Sequence, residues 1–381
     1  MNEFVASIIS KAKNAGIDFR VVGGLVNNKV DLSTSDVDIF LRTENGLSKL
    51  SNLILSEVGL YPNVVLVSRR EISNYGWQFV FSYKDNYFKL DLFVGLRFSN
   101  IELMDSKVFF DLASQEGNEE EIYRFIKKNT AFKDAWPGVP REVYRFAVDR
   151  VTFPKRVCFY FIKLFENIKS LMYERDGVMV AFLGPDGSGK SSVINSIEAK
   201  LCGKKLVIPV KRFHWRPELK EKKQSPTIVV DPHGDRPRGS IMSFVKLCYL
   251  AMVFNLGYLL RVKRLLHRGY IVLFDRYYHD LLVDQKRYRY GGSTFLAKVV
   301  GKLIPQPDMW ILLDASADIL YQRKQEVSYS EVVKQVDGYR DLIDTLDNGH
   351  TIDATQPLDE VVKDIDKVLV EFLSNRMSRN C

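Results

Sequence analysis

The stretch 180-VAFLGPDGSGKSSVINSI-197 decides how the chain is read. Its first four residues, Val180 to Leu183, form an apolar run suited to a strand buried on both faces, and from Ser191 the spacing becomes helical. Between strand and helix, Gly184, Gly189, Lys190 and Ser191 satisfy G-x-x-x-x-G-K-[ST] in full. Glycines let backbone N–H groups turn inward on phosphates, and the helix N-terminus adds its positive dipole end. Lys190 then reaches the outer phosphates and the Ser191 hydroxyl can ligate magnesium, with Asp186, Gly187, Ser188 and Ser192 completing the cradle. An accidental Gly/Ser turn would not need a strand before it and a helix after it.

Outward from this loop the pattern alternates strand and helix. YIVLFD at 270–275, MWILLD at 309–314 and HTIDA at 350–354 read as strands, with a helix over 316–326 and another from Leu358. Apolar strands joined by helical crossovers predict an α/β domain whose parallel sheet is covered by helices on both faces. Asp275 ends its strand and Arg276 follows, and ligands of open α/β sheets gather at such ends. Asp275 can there hold magnesium through water or accept a proton, and Arg276 can neutralise a phosphate; a surface acid–base pair is the plainer alternative. In 283-VDQKRYRYGG-292, Lys286, Arg287 and Arg289 alternate with Tyr288 and Tyr290, either to grip a phosphorylated sugar or nucleotide or simply as a cationic surface loop. Residues 212–240, rich in proline and charge, read as loop. The apolar run 241–260 is interrupted by Lys246 and Asn255 and reads as a buried helix, so no transmembrane segment is expected.

The loop begins almost halfway along 381 residues, so another unit must precede it. We expect a small mixed α/β domain over 1–100, a helical connector over 101–175, and the loop-bearing domain over 176–381. Strands are expected near 19–26, 36–42, 63–68, 77–83 and 87–94, with a helix around 46–58. The first residues space their apolar side chains as an amphipathic helix and lack the pattern of a signal peptide. Asp36 and Asp38, two apart on one strand, share a face, and Asp91 lies within another apolar strand. Three convergent acids repel one another unless a cation sits between them, which is the arrangement of two-metal phosphoryl chemistry.

The net charge of +8 admits polyanionic partners, nucleotide phosphates or an acidic membrane surface without choosing among them. Four cysteines without C-x-x-C spacing indicate neither zinc nor a disulfide framework, and a reducing cytoplasm is the simplest compartment. The five histidines show no metal-ligand spacing; His279 reads as structural or as a minor substrate contact. No helix-turn-helix, zinc or stacking-sheet pattern points to sequence-specific nucleic acid.

Residues 177–381 resemble the thymidylate kinase family of P-loop enzymes. The resemblance rests on GPDGSGKSS, on Asp275-Arg276-Tyr277, on PDMWILLDAS (307–316) and on TIDATQPLDEVV (351–362). It implies ATP and Mg2+ as cofactors, Asp186 as an acid facing the substrate, and a lid over 320–343 that makes Arg323 and Lys324 candidates to meet the transferring group; a solvated helix face is the alternative for those two. Leu183 stands where that family usually has Glu, and Arg216-Pro217, a candidate acceptor contact, lacks the glycines of its Arg-Pro-Gly-Gly-Thr turn. The first hundred residues resemble the nucleotidyltransferases of the DNA polymerase beta superfamily. There Asp36 and Asp38 would bind both magnesium ions, Asp91 would complete one site, and Gly23, Gly24 and Ser35 would hold a nucleotide triphosphate; an inactive relative kept for binding is the alternative.

Together these readings give a two-domain enzyme. Its C-terminal half would pass a phosphoryl group from ATP to a small phosphorylated or hydroxylated acceptor, with Lys190, Asp275, Arg276 and Arg323 in the chemistry and Asp186, Arg216, Arg287 and Arg289 on the acceptor. Its N-terminal half would transfer a nucleotidyl group to the kinase product in surface polysaccharide assembly, and the expected partners are a nucleotide triphosphate and a small-molecule or glycan-intermediate acceptor. A thymidylate kinase with an appended domain and a nucleotide-gated binding protein without turnover are the alternatives, and a homodimer is left open.

Overall fold

The computed structural model describes residues 2–23, 25–26, 29–30, 36–73, 76–84, 86–94, 96–98, 101–104, 176–202, 208–217, 236–325 and 327–380. They belong to two compact units, one of residues 1–168, 200–209 and 369–381, the other of 169–199 and 210–368.

In the first unit, α1 (Asn2–Asn14) precedes β1 (Phe19–Gly23), the short pair β2 (Leu25–Val26) and β3 (Lys29–Val30), and β4 (Asp36–Leu41). Then follow α2 (Glu44–Val58), β5 (Val65–Ser73), β6 (Gly76–Tyr83), β7 (Asn86–Val94), β8 (Leu96–Phe98) and β9 (Ile101–Met104). Five strands form a mixed sheet in the order β1-β4-β7-β6-β5, in which only β4 and β7 run parallel. Alternation along the strands sorts the side chains by face. Ile39 of β4, Leu90 and Leu92 of β7 and Phe79 and Phe81 of β6 pack into a core with Phe4 and Ile8 of α1 and Leu50 and Ile54 of α2. The other face receives the polar alternates, among them Asp38, Asp91, Lys89 and Gln78. Thr43 starts α2 because its hydroxyl accepts the Gly46 N–H at 3.1 Å, satisfying one of the free donors of the first turn. At the start of the expected helical connector, Ile101–Met104 pairs with β8 as a strand. The remaining expected helices of the connector, 105–175, lie outside the described residues.

In the second unit all five strands are parallel, in the order β11-β12-β10-β13-β14. The central strands β10 (Val178–Leu183), β12 (Ile271–Asp275) and β13 (Met309–Asp314) are buried almost throughout, as strands covered on both faces must be. The flanking helices are α3 (Lys190–Cys202), which belongs to this unit as far as residue 199, α4 (Ser240–Gly257), α5 (Asp280–Val283), α6 (Thr294–Leu303), α7 (Ala317–Arg323), α8 (Tyr329–Ile343) and α9 (Leu358–Asn380), which belongs to it as far as residue 368. The remaining strands are β11 (Val210–His214) and β14 (Gly349–Asp353), which form the two edges. This is the expected α/β architecture, consistent with a P-loop kinase fold.

Two expectations change. Residues 212–214, read as loop, complete β11; an edge strand tolerates Lys211, Arg212 and His214 because one side of it meets no further strand among the described residues. The run 241–260 is a helix but not a buried one. α4 continues through a π turn at Tyr258–Val262 into a last helical turn, Lys263–His267, and Ile241 is 81% exposed. Leu247, Leu250 and Phe254 face the core while an equally apolar stripe faces outward, because the helix is apolar all round. Its 28 residues from Ser240 to His267 are long and apolar enough to cross a membrane by length and composition.

Candidate functional site

The loop after β10 takes its shape from glycine. Gly184, Gly187 and Gly189 have φ of +141°, +86° and +85°, which a side chain would strain, and a Cβ on Gly184 would come within 2.9 Å of the Leu313 carbonyl. Lys190, the first residue of α3, is buried and folds back over the loop, donating to the carbonyls of Gly184 and Pro185 at 2.7 Å each and to Ser188 Oγ at 3.2 Å. Burial, and after it the charge of Arg276, lowers its pKa to about 7 despite nearby carboxylates. The ammonium is thus desolvated and held by neutral carbonyl oxygens, an arrangement that phosphate oxygens can replace with gain. Ser192 lies exposed in the same helical turn.

Parallel pairing brings Asp275, at the carboxyl end of β12, beside this loop. Its Oδ2 accepts from Ser191 Oγ at 3.3 Å and from Arg212 at 2.5 Å, and His214 Nδ1 lies 3.7 Å away. Burial works to raise the carboxyl's pKa, but the neighbouring His214 and the hydrogen bond and charge of Arg212 outweigh it and hold Asp275 ionised, well below the usual carboxylate range. Ser191 and Asp275 together offer hydroxyl and carboxylate oxygens of the kind a hard divalent cation prefers, so the donor set fits magnesium. Arg212 and His214 were missed in the sequence because they lie on the strand read as loop.

Arg276 follows at φ +73°, an uncommon conformation for a residue with a side chain. Its guanidinium is buried, donates to Asp186 of the loop and reaches Asp280 at 3.4 Å. Arg287 donates to the other oxygen of Asp186, so one loop carboxylate gathers two arginines 90 and 101 residues away in sequence. Both charges hold Asp186 ionised against its partial burial. Asp280 is fully buried and its pKa is raised by that burial; it accepts from the Tyr339 hydroxyl at 2.7 Å and the Tyr277 N–H at 2.8 Å, and so anchors Arg276 from behind.

The other expected residues divide. Arg323 and Lys324, at the end of α7, have their Cβ atoms 3.6 and 3.4 Å from where a Cβ on Gly187 would stand, so both lie beside the loop; Arg323 donates to the Ala354 carbonyl. Arg216 sits over the rings of Trp215 and Tyr249, and Trp215 stacks on Tyr288 at 4.8 Å between centroids. Arg289 donates to the Arg236 carbonyl. Lys286 pairs with Glu331 at 3.0 Å. His279 is a core residue against Trp310, its pKa lowered by burial to about 4.

In the first unit, β4 and β7 pair so that Asp38 lies opposite Asp91, and β1 places Gly23 opposite Asp38. Asp91 accepts from Lys89 Nζ at 3.1 Å and from Gln78 Nε2 at 2.7 Å, all three buried. Lys89, two residues earlier on the same face, was not anticipated; the K-x-D spacing on a strand was its signal. Gly24, Ser35 and the side chain of Asp36 lie outside the described residues, and among those described no group of three His, Cys, Asp or Glu could hold a metal.

No family model matches the chain. A protein named probable thymidylate kinase from Archaeoglobus fulgidus is 29% identical over 120 residues, 30% of this chain, which spans 61% of that protein's length. A thymidylate kinase from Staphylococcus haemolyticus is 26% identical over 209 residues, 51% of this chain and 98% of that protein. About half of the chain is therefore similar, at low identity, to proteins carrying that name.

Proposed function

We propose that the second unit is an ATP-dependent phosphotransferase acting on a nucleotide-like or otherwise phosphorylated small acceptor. One observation carries the reading: the Lys190 loop and the Ser191–Asp275 oxygens stand beside the Asp186–Arg276–Arg287 cluster, at the same ends of a parallel sheet. The similarity to thymidylate kinases supports it.

In this reading the loop amides and Lys190 orient the triphosphate, and Lys190 exchanges its carbonyl partners for phosphate oxygens. Ser191 and Asp275 would hold a magnesium ion, which would supply charge neutralisation. Arg276, fixed by Asp186 and Asp280, neutralises the acceptor's anionic group; Arg287 reinforces it. Arg323 and Lys324 flank the transferring group from the side of Gly187, and Arg216 with its aromatic neighbours holds the acceptor's body. Catalysis here is positioning and charge stabilisation. A thymidine monophosphate acceptor is the reading favoured by the relatives' names, and Leu183 and the glycine-free Arg216-Pro217 turn argue for a different one.

For the first unit we propose nucleotidyl transfer, in surface-glycan assembly within the cytoplasm. It is supported by Asp38 and Asp91 in register on adjacent parallel strands with Asp36 on the same strand.

Pyrophosphate release from nucleotide triphosphates, lost in Asp36→Ala, tests the second reading; ATP consumption across acceptors that include thymidine monophosphate and sugar phosphates tests the first. Turnover should vanish in Lys190→Ala and persist in Asp36→Ala. A wild-type protein that binds ATP yet consumes none with any acceptor would leave a nucleotide-gated binding protein as the better account.

A further inference from the structure

The outward stripe of α4 has no counterpart in the site chemistry. Ile241, Val245, Met252, Leu256 and Leu259 are each 40% or more exposed and recur at spacings of three, four and seven residues, so they share one helix face. α6 extends that face: Phe295, Val299 and Leu303, four apart, are 72%, 40% and 66% exposed. Asn255 Nδ2 of α4 donates to the Leu303 carbonyl at 3.2 Å, which ties the two helices side by side. Monomeric proteins seldom leave so continuous an apolar surface in water.

The sequence of these helices carries charge of one sign. From Arg236 to Phe274 the sequence carries Arg236, Arg238, Lys246, Arg261, Lys263, Arg264 and Arg268 and no Asp or Glu; from Gly291 to Pro307 it carries Lys298 and Lys302 and again no acid. The crowding is felt within: burial, then the charges of Arg238, Arg289 and Arg216, lowers the pKa of Lys246 to about 8.

We infer that α4 and α6 form a docking surface for an anionic lipid bilayer, with the apolar stripe entering the headgroup boundary and exposed bases such as Arg264, Lys298 and Lys302 meeting lipid phosphates. α4 lies on the membrane and does not cross it, because Leu247, Leu250, Phe254, Val262 and Leu266 on its other face belong to the core of the second unit. A second copy of the chain fits less well, since two such faces would bring like charges together. The inference does not depend on the identity of the phosphoryl acceptor.

Flotation of the full-length protein with vesicles tests it. Retention on equimolar phosphatidylcholine and phosphatidylglycerol should exceed that on phosphatidylcholine alone by about tenfold or more and fall as salt is raised. Leu259→Asp with Phe295→Asp should abolish retention, and Lys298→Glu with Lys302→Glu should weaken it about tenfold, with ATP binding unchanged in both variants. Equal failure of the wild type on both vesicle types overturns the inference, as does retention that survives Leu259→Asp with Phe295→Asp. A wild-type dimer that those aspartates split, without vesicle binding, assigns the face to a second copy instead.

Discussion

Asp275 in the second unit and Asp91 in the first are both buried carboxylates on parallel strands, 3% and 2% exposed. They differ in place and company. Asp275 closes its strand and meets a serine hydroxyl at the mouth of a phosphate loop. Asp91 sits in the middle of β7, where Lys89 and Gln78 occupy it from its own sheet. A carboxylate at a strand end is placed to serve a ligand; one in mid-strand with an internal cation is first of all part of the sheet. The apparent need for a metal between Asp38 and Asp91 is thus met in part by an amino group.

That contrast can be broken at four points. Lys190→Ala should reduce turnover about a thousandfold, the loss expected when a principal charge donor to the transferring group is removed, read as kcat at saturating ATP. An effect below tenfold would mean that the loop does not hold the donor. Lys89→Met should leave Asp91 as a buried charge lacking its cation and destabilise the first unit by about 4 kcal/mol, seen as a shifted urea transition. Wild-type stability in that variant would show that the pair is not what neutralises Asp91.

A third test is pH. His279 has a folded pKa of about 4 against 6.5 unfolded, so the unfolded chain binds the extra proton between these values. Its contribution is intact above pH 6.5 and is lost as pH falls toward 4, about 3 kcal/mol at most. Thermal melts of wild type should decline over that window, and His279→Gln should flatten the decline; Asp280, with its raised pKa, acts in the opposite sense. Last, Gly187→Ala places a methyl at φ +86° and 3.1 Å from the Leu320 carbonyl, and should cost about 1 to 2 kcal/mol of second-unit stability in the same melts.

Much of this was legible in the residues. β10, β12 and β13 are near-unbroken apolar runs, and a strand buried on both faces has no other way to look. The meeting of Ser191 and Asp275 followed from topology, since the loop that leads to Ser191 leaves the carboxyl end of β10 and Asp275 closes the neighbouring β12. The joining of Asp186 to Arg276 and Arg287 did not, because pairing across such distances depends on how loops close after the sheet forms. β11 was hidden by the polar residues an edge strand can carry. α4 was misread for the opposite reason: a helix apolar on every side has composition enough for burial, and only its neighbours decide which side stays outside.

The backbone at Arg276 has a consequence for anyone improving this molecule. At φ +73° a glycine would relax the turn, so a screen that ranks variants by melting temperature alone is drawn toward removing the very guanidinium that Asp186 and Asp280 hold in place. Libraries aimed at thermostability should keep position 276 fixed.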